Sequence, residues 1–167
     1  TYTWEQFNLG PPIQVGEAPF GGAPGFKFNP PDTNNTRLFP NINLIRRQNF
    51  NDLLEYLPDT WQDLDFRFTA RDNHDTAGAT VWEQVSFQVA CDAGPFRVLQ
   101  PGNTPDDELY GGFKNVIRWD PAESQASPVD CKFVDIMLSV DDGFTYPDTI
   151  AKSISNDGSA LVFIPEE

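Results

Sequence analysis

Basic side chains are scarce in this chain of 167 residues. Eleven Lys and Arg stand against 25 Asp and Glu, which gives a net charge of −14 at pH 7. Binding to nucleic acid requires a surplus of basic side chains that neutralise phosphates, so a nucleic-acid partner is excluded. An anionic membrane surface would repel the chain for the same reason.

Histidine is scarcer still, because His74 is the only one in the sequence. A zinc peptidase site requires His-Glu-x-x-His on a helix and a third histidine nearby, and a single histidine cannot supply it. The sequence contains no recognisable Ser-His-Asp set or nucleophile elbow either. We therefore predict no catalytic residues and assign His74 to a turn.

The two cysteines, Cys91 and Cys131, do not form a Cys-x-x-Cys pair, so a thiolate zinc site is not supported. They are either two free thiols or one disulfide, and we favour the disulfide. Closing a loop of about 40 residues would stabilise the fold by roughly 3–4 kcal/mol and would require an oxidising compartment.

Long apolar runs are also missing, and none approaches the ~20 residues of a membrane span. We expect no membrane insertion. The sequence begins without a signal peptide at a segment typical of a strand, TYTWEQF. We interpret the chain as a mature fragment or an excised piece of a longer protein.

Helical patterns are nearly absent, whereas the chain has 15 prolines, 12 glycines and 14 phenylalanines. The best helix candidate is residues 49–58, with three leucines on one side and Pro58 at its end. Such a composition predicts an all-β architecture of many short strands with one short helix.

Alternating apolar residues predict strands at 64–73 and 80–90, joined by a turn at DNHDTAGA. The apolar face of each strand is expected in a core. A Gly-Pro boundary near residue 94 precedes a second series of strands, in PFRVLQP, NVIRWDP, CKFVDIMLSVDDG and SALVFIPEE. We therefore predict two modules, residues 1–92 and 93–167, the first with a long Pro/Gly-rich loop over residues 10–50.

The stretch LSVDDGFTY contains Ser139, Asp141, Gly143 and Thr145 at the spacing of an Asp box. A single copy lacks the repeat of a propeller. In a hairpin, Ser139 or Asp141 can cap backbone N–H groups and Gly143 permits positive φ. We predict a structural turn and no sugar chemistry.

Acidic turn residues are the candidates for a calcium site, because calcium prefers carboxylate and amide oxygens. The set at the first turn and the module junction is Asp72, Asn73, Asp75 and Asp92, and further candidates are Asp106, Asp107, Glu108, Asp141 and Asp142. None has EF-hand spacing. Solvated turn residues are the preferred interpretation, and calcium is the alternative.

Trp61, in the turn PDTWQD, is the candidate ligand contact. An exposed turn tryptophan can stack on a sugar or anchor a protein, but it more often covers the end of a sandwich. Trp4, Trp82 and Trp119 lie within predicted strands, where buried or half-buried positions are expected.

Several of these segments resemble the accessory region of secreted bacterial reprolysin-like zinc metallopeptidases. In the first half they are TYTWEQF, FPN at 39–41 and LPDTWQDLDFRFTARDN, and in the second AGPFRVLQP, VIRWDP, PVDC, LSVDDG and SNDGS, in the family's order. The resemblance implies two immunoglobulin-like β-sandwich modules, the first without its opening strands. It also implies a secreted, non-catalytic segment that spaces, stabilises or presents an enzyme or binds protein.

The alternative is a stand-alone extracellular adhesion or structural module. An incomplete sandwich exposes backbone donors and acceptors, so it could assemble into a homo-oligomer by strand addition. A protein or a cell-surface polysaccharide would be the partner in either case.

Overall fold

The computed structural model describes residues 1–14, 17–102 and 107–166. Within these ranges nearly all regular structure is antiparallel β-sheet and one short helix is present. The prediction of an all-β fold with one short helix is confirmed. The chain divides into two compact units, Thr1–Cys91 and Asp92–Glu167, next to the boundary expected from the sequence.

The first unit contains five strands and the helix. They are β1 (Tyr2–Gln6), α1 (Ile42–Arg46), β2 (Asn51–Asp52), β3 (Glu55–Tyr56), β4 (Gln62–Arg71) and β5 (Thr80–Val89). The main sheet has the order β1-β4-β5, and β2 and β3 form a separate hairpin. The ten residues of β5 pair with β4 without a register shift.

The core of the first unit lies against one face of β4. Leu64 and Phe66 from this strand are buried together with Phe26, and Phe39 packs beside them. The ring centroids of Phe39 and Phe66 lie 4.4 Å apart. Two core aromatic rings, Phe26 and Phe39, therefore come from the segment before α1, which the sequence predicted as a long Pro/Gly-rich loop.

A buried ion pair fastens this irregular segment to the hairpin. Glu55 is 1% exposed and accepts from the Arg37 guanidinium at 3.1 Å. Its second oxygen accepts from the backbone N and the side-chain amide of Asn41, at 2.5 and 2.9 Å. Arg37 also donates to the carbonyls of Trp4 and Lys27. The carboxylate thus has partners for both oxygens, which a buried charge requires.

The helix predicted at residues 49–58 is wrong. The helix begins after Asn41, whose side chain caps the N–H of Asn43. Residues 51–56 form the β2–β3 hairpin instead, in which Asp52 accepts from the N–H of Leu54 at 3.0 Å. This Asx-type turn competes with helix formation, and burial of Glu55 stabilises the hairpin.

The second unit contains two small sheets that face each other. Its strands are β6 (Arg97–Gln100), β7 (Lys114–Asp120), β8 (Phe133–Leu138), β9 (Asp148–Ser155) and β10 (Ser159–Phe163). One sheet has the order β10-β7-β6 and the other is β8-β9. Alternation along β7 and β10 buries Ile117, Trp119 and Val162 against partly buried residues of β8 and β9.

Asn156 fixes the corner where the chain crosses from one sheet to the other. Its side-chain oxygen accepts from the indole N–H of Trp119 at 2.8 Å, and its amide donates to the carbonyl of Cys131 and the hydroxyl of Ser124. Gly158 follows with φ of +96°. A Cβ at Gly158 would lie 3.2 Å from the Trp119 carbonyl, so this turn requires glycine for its conformation.

Candidate functional site

The Asp-box residues are brought together in one hydrogen-bonded turn. Asp141 accepts from the backbone N–H groups of Thr145 and Phe144 at 2.8 and 3.1 Å, and from the Thr145 hydroxyl at 2.7 Å. The Ser139 hydroxyl donates to Asp141 and accepts from the N–H of Gly143, which has φ of +80°. These bonds, led by that from the Thr145 backbone, lower the pKa of Asp141 to about 2. The carboxylate is therefore occupied in holding the turn.

The turn between β4 and β5 uses Asp72 in the same way. Its Oδ1 accepts from the N–H of Ala79 at 2.8 Å and of His74 at 3.2 Å, and these two bonds lower its pKa. Asn73 has φ of +52° and its side chain bonds to the hydroxyl of Thr1. The Asp72 oxygen that faces the loop already has two donors, so it caps backbone.

The calcium candidates are distributed over both units of the chain. Asp72, Asn73 and Asp75 belong to the first unit, whereas Asp92 opens the second. Asp106 lies outside the described residues. Throughout the described ranges, no group of three or more His, Cys, Asp or Glu side chains could hold a metal ion. Calcium binding stays a prediction without a defined site.

The two cysteines are free thiols in the structure. Cys91 is half-buried at the end of the first unit, and Cys131 is exposed in the second. The Sγ of Cys131 lies 3.5 Å from the carbonyl of Phe133. The predicted disulfide is therefore not present in the structure.

Trp61 is exposed immediately before β4. A groove of about 340 Å³ lies beside it, between residues 18–25 and 56–62. Phe20 and Tyr56 give this groove apolar surface, and Asp59 and Gln62 give it polar groups, but Trp61 is not part of its lining. Trp61, the predicted ligand contact, therefore lies beside a groove of apolar and polar residues and does not line it.

The most unusual surface of the first unit is the edge strand β5. Val81, Trp82, Val85 and Phe87 are 68%, 59%, 47% and 50% exposed, although each lies within the strand. The sequence predicted that the face with Val81, Val85, Phe87 and Val89 would lie in a core. Val89 packs against the core, but the prediction is wrong for the other three residues, which are exposed. Leu64 and Phe66 of β4 continue this face, and the Phe87 ring stacks on Phe66 with centroids 5.7 Å apart, but most of β5 is left uncovered.

The backbone of β5 is open on the side away from β4. The carbonyl of Asp65 in β4 accepts from Phe7, next to β1, at 2.7 Å. The N–H and C=O groups of one strand residue point to the same side, and the side alternates along the strand. The odd-numbered residues of β4 therefore direct these groups to β1, and the even-numbered residues direct them to β5. The register sets the even residues of β4 opposite odd residues of β5. It follows that Trp82, Gln84 and Ser86 direct their N–H and C=O groups to the free edge.

The opposite edge of the same sheet is covered. Tyr2 in β1 exchanges two backbone hydrogen bonds with Asp32, at 2.7 and 3.0 Å, and the guanidinium of Arg37 donates to the carbonyl of Trp4 at 2.8 Å. No described strand or bridge pairs with the outer side of β5. The sheet consequently has one protected edge and one open edge.

Most features that usually prevent edge pairing are missing from β5, although Glu83 places one charge on the face that carries Val81 and Val85. Its sequence, TVWEQVSFQV, contains no Lys, Pro or Gly, and its pairing with β4 has no bulge. Glu83 is its only charged residue. One feature of the sequence could have indicated this exposed edge. The strand carries apolar side chains on both faces, because Trp82 lies on the face opposite to that of Val81 and Val85.

The polar face of the sheet places a cation near Trp82. The guanidinium of Arg67 bonds to the Glu5 carboxylate at 2.7 Å and lies 4.0 Å from the ring centroid of Phe7. The Trp82 ring is 5.8 Å from the same guanidinium, at the outer limit of a cation–π contact. More than half of the Trp82 side chain therefore remains exposed to solvent.

Comparisons with known proteins gave no relatives. No family model, no curated protein and no solved structure matches the chain. Among the helices of the described ranges, none has the length and apolar character that crossing a bilayer requires.

Proposed function

We propose that the chain is a non-catalytic accessory β-sandwich segment of a secreted metallopeptidase-like protein, and that it works by binding other polypeptides. The motif order from TYTWEQF to SNDGS supports this parentage, and the single histidine supports a non-catalytic role. Secretion would expose Cys91 and Cys131 to an oxidising compartment. The implied immunoglobulin-like topology belongs to the same proposal.

The observation that carries the proposal is the open edge of β5. A long unguarded edge strand offers a partner a row of backbone donors and acceptors, and its exposed apolar side chains add contact area. Monomeric proteins rarely leave such a strand uncovered. Binding through β5 would use main-chain hydrogen bonds for affinity and the side chains of Val85 and Phe87 for selectivity.

A stand-alone adhesion or structural module is the second candidate, and the same edge favours it because strand addition could join modules directly. The groove beside Trp61 favours carbohydrate as another ligand of such a module. Phe20 and Tyr56 provide ring surfaces there, and Asp59 provides an acceptor for hydroxyl groups.

The coding sequence that flanks residues 1–167 separates the two candidates. A His-Glu-x-x-His motif on a preceding helix is expected for an accessory segment, whereas further β-modules without that motif are expected for an adhesin. A flanking enzyme of unrelated class would contradict both. We also expect no cleavage of casein by the purified chain, and turnover by this chain alone would contradict a non-catalytic role.

A further inference from the structure

We infer that the partner of β5 is a second copy of this chain, paired strand to strand about a two-fold axis normal to the sheet. The inference rests on the proposed use of β5 for strand addition. Two copies would form one continuous antiparallel sheet of six strands, with the two β5 strands at its centre. A two-fold interface is self-complementary, so one surface supplies both sides.

The sequence of β5 suits pairing with itself. In an antiparallel pair, two residues directly opposite each other lie on the same face of the sheet. The apolar faces of two identical strands therefore coincide only when opposed residues are both odd-numbered or both even-numbered. Two registers then overlap almost the whole strand, one centred on Gln84 and one on Val85. They place Glu83 opposite Val85 or Phe87 of the partner, and neither places Glu83 opposite another Glu83. The only charge in the strand therefore meets no like charge directly opposite it.

In both registers the apolar face of β5 continues across the two-fold axis into the partner strand. With Gln84 at the centre, Val81 of one copy lies opposite Phe87 of the other. With Val85 at the centre, Val85 meets itself. Apolar cross-strand pairs of this kind stabilise sheets. On the other face, Trp82 of one copy would lie opposite Ser86 or Gln88 of the other, where its exposed ring could cover the neighbouring strand.

The available area points to a weak dimer. Buried Trp and Phe side chains each remove about 150–250 Å² from water, and about half of Trp82 and Phe87 is still accessible. With the two valines and the backbone edge, we expect a total near the lower limit of specific interfaces, roughly 1,200 Å². The dissociation constant should then be roughly 1–100 µM.

Substitutions at Gln84 test the pairing. Its N–H points to the free edge, so Gln84→Pro removes an outward donor without removing a bond to β4, and proline is tolerated at such positions. Gln84→Ala is the matched control, because it removes the same side chain and its 3.4 Å contact with Asp65 but keeps the N–H. Sedimentation velocity over a concentration series should show a wild-type dimer, retained by Gln84→Ala and weakened at least about tenfold by Gln84→Pro.

Hydrogen exchange of the wild-type chain gives a second readout that needs no variant. Amides of Trp82, Gln84 and Ser86 should exchange quickly in dilute solution and become protected as concentration rises. A wild-type chain that stays monomeric, with these amides unprotected, would overturn self-pairing and leave binding of other polypeptides standing. Protection already present in dilute monomer would mean that β5 is covered, and both proposals would fail. Loss of the dimer in Gln84→Ala as strong as in Gln84→Pro would contradict pairing through the backbone.

Discussion

Carboxylates of this chain differ in what surrounds them, and their expected responses to substitution differ accordingly. Asp141 is fully exposed but accepts four hydrogen bonds within its turn. Glu55 is buried and faces a cation. The ionised form of Asp141 is the one that the turn uses, so this carboxylate is not suited to proton transfer at neutral pH.

The Asp141→Asn substitution should make stability less sensitive to acid. The pKa of Asp141 is lowered from 3.8 to about 2 in the folded chain, so its contribution is complete above pH 3.8 and is lost as pH falls from 3.8 to about 2. The difference in unfolding free energy between wild type and variant should therefore narrow over that window. Urea unfolding at a series of pH values measures it.

Asp75→Asn is the control for this comparison. Asp75 is exposed in the turn after β4 and the structure gives it no hydrogen bond. Its substitution removes one carboxylate charge from a turn and removes no hydrogen bond of the described residues, so it controls for the change of charge alone. An Asp141→Asn profile that runs parallel to that of wild type would contradict the role of the turn bonds.

Glu55→Ala should be severely destabilising. Removal of the carboxylate leaves the charge of Arg37, whose side chain is 11% exposed, without its partner. Breaking a buried pair in this way costs about 3–5 kcal/mol. Chemical denaturation followed by tryptophan fluorescence measures the loss.

The matched control is Lys132→Ala in the second unit. Lys132 lies 3.8 Å from Asp130 in an exposed pair, and such pairs contribute at most about 1 kcal/mol. Equal losses of unfolding free energy in the two variants would contradict the burial of the Glu55 carboxylate.

At the scale of elements, the corner at Asn156 joins strands of both sheets of the second unit. Asn156→Ala should lower the unfolding free energy by about 1–3 kcal/mol, because the buried indole N–H of Trp119 and the carbonyl of Cys131 lose their partner. Thermal unfolding monitored by near-UV circular dichroism measures the change.

Asn115→Ala provides the comparison for this corner. Asn115 also makes local hydrogen bonds, to Tyr110 and Phe113, but at exposed positions where water can replace them. Its effect should be clearly smaller. A change at Asn115 as large as that at Asn156 would argue against burial as the cause.

Strands were predictable where alternation is regular. The pattern predicted strands at 64–73 and 80–90, and they lie at Gln62–Arg71 and Thr80–Val89. The bounds of β9 did not follow from alternation, because Lys152 stands between its apolar residues Ile150 and Ile154 and its pairing contains register shifts. Alternation also identifies the two faces of a strand without telling whether a second layer covers one of them, which is why the exposure of β5 was not foreseen.

The candidate site was only partly predictable. The Asp-box spacing predicted a capped turn around Asp141, because the turn is local and its donors come from the next few residues. The network around Glu55 joins residues that are 14 and 18 positions apart, and no local pattern indicates it. The open edge depends on strand order, which periodicity does not encode.

For the whole molecule, the dominant property is the charge of −14. Self-repulsion of that size destabilises a compact chain, and salt screens it. Added NaCl at pH 7 should therefore raise the unfolding temperature, measured by scanning fluorimetry. Near pH 4.2, the isoelectric point, the same salt should have little effect, and a similar rise there would contradict charge repulsion as the cause.

Calcium chloride should stabilise the chain no more than magnesium chloride at equal ionic strength. Asp72 caps backbone N–H groups, and the described residues contain no group of three or more His, Cys, Asp or Glu that could hold a metal ion. Titration with each ion while the unfolding temperature is followed provides the measurement. A larger shift with calcium, abolished by Asp72→Asn, would locate a binding site that the described residues do not reveal.

The covered outer side of β1 has a consequence for aggregation. A sheet that two chains extend through β5 would present β1 at both ends, where Asp32 pairs with the backbone of Tyr2 and Arg37 donates to the carbonyl of Trp4. These contacts would hinder the addition of another strand at either end. We therefore expect assembly to stop at the dimer and not to continue into a fibril.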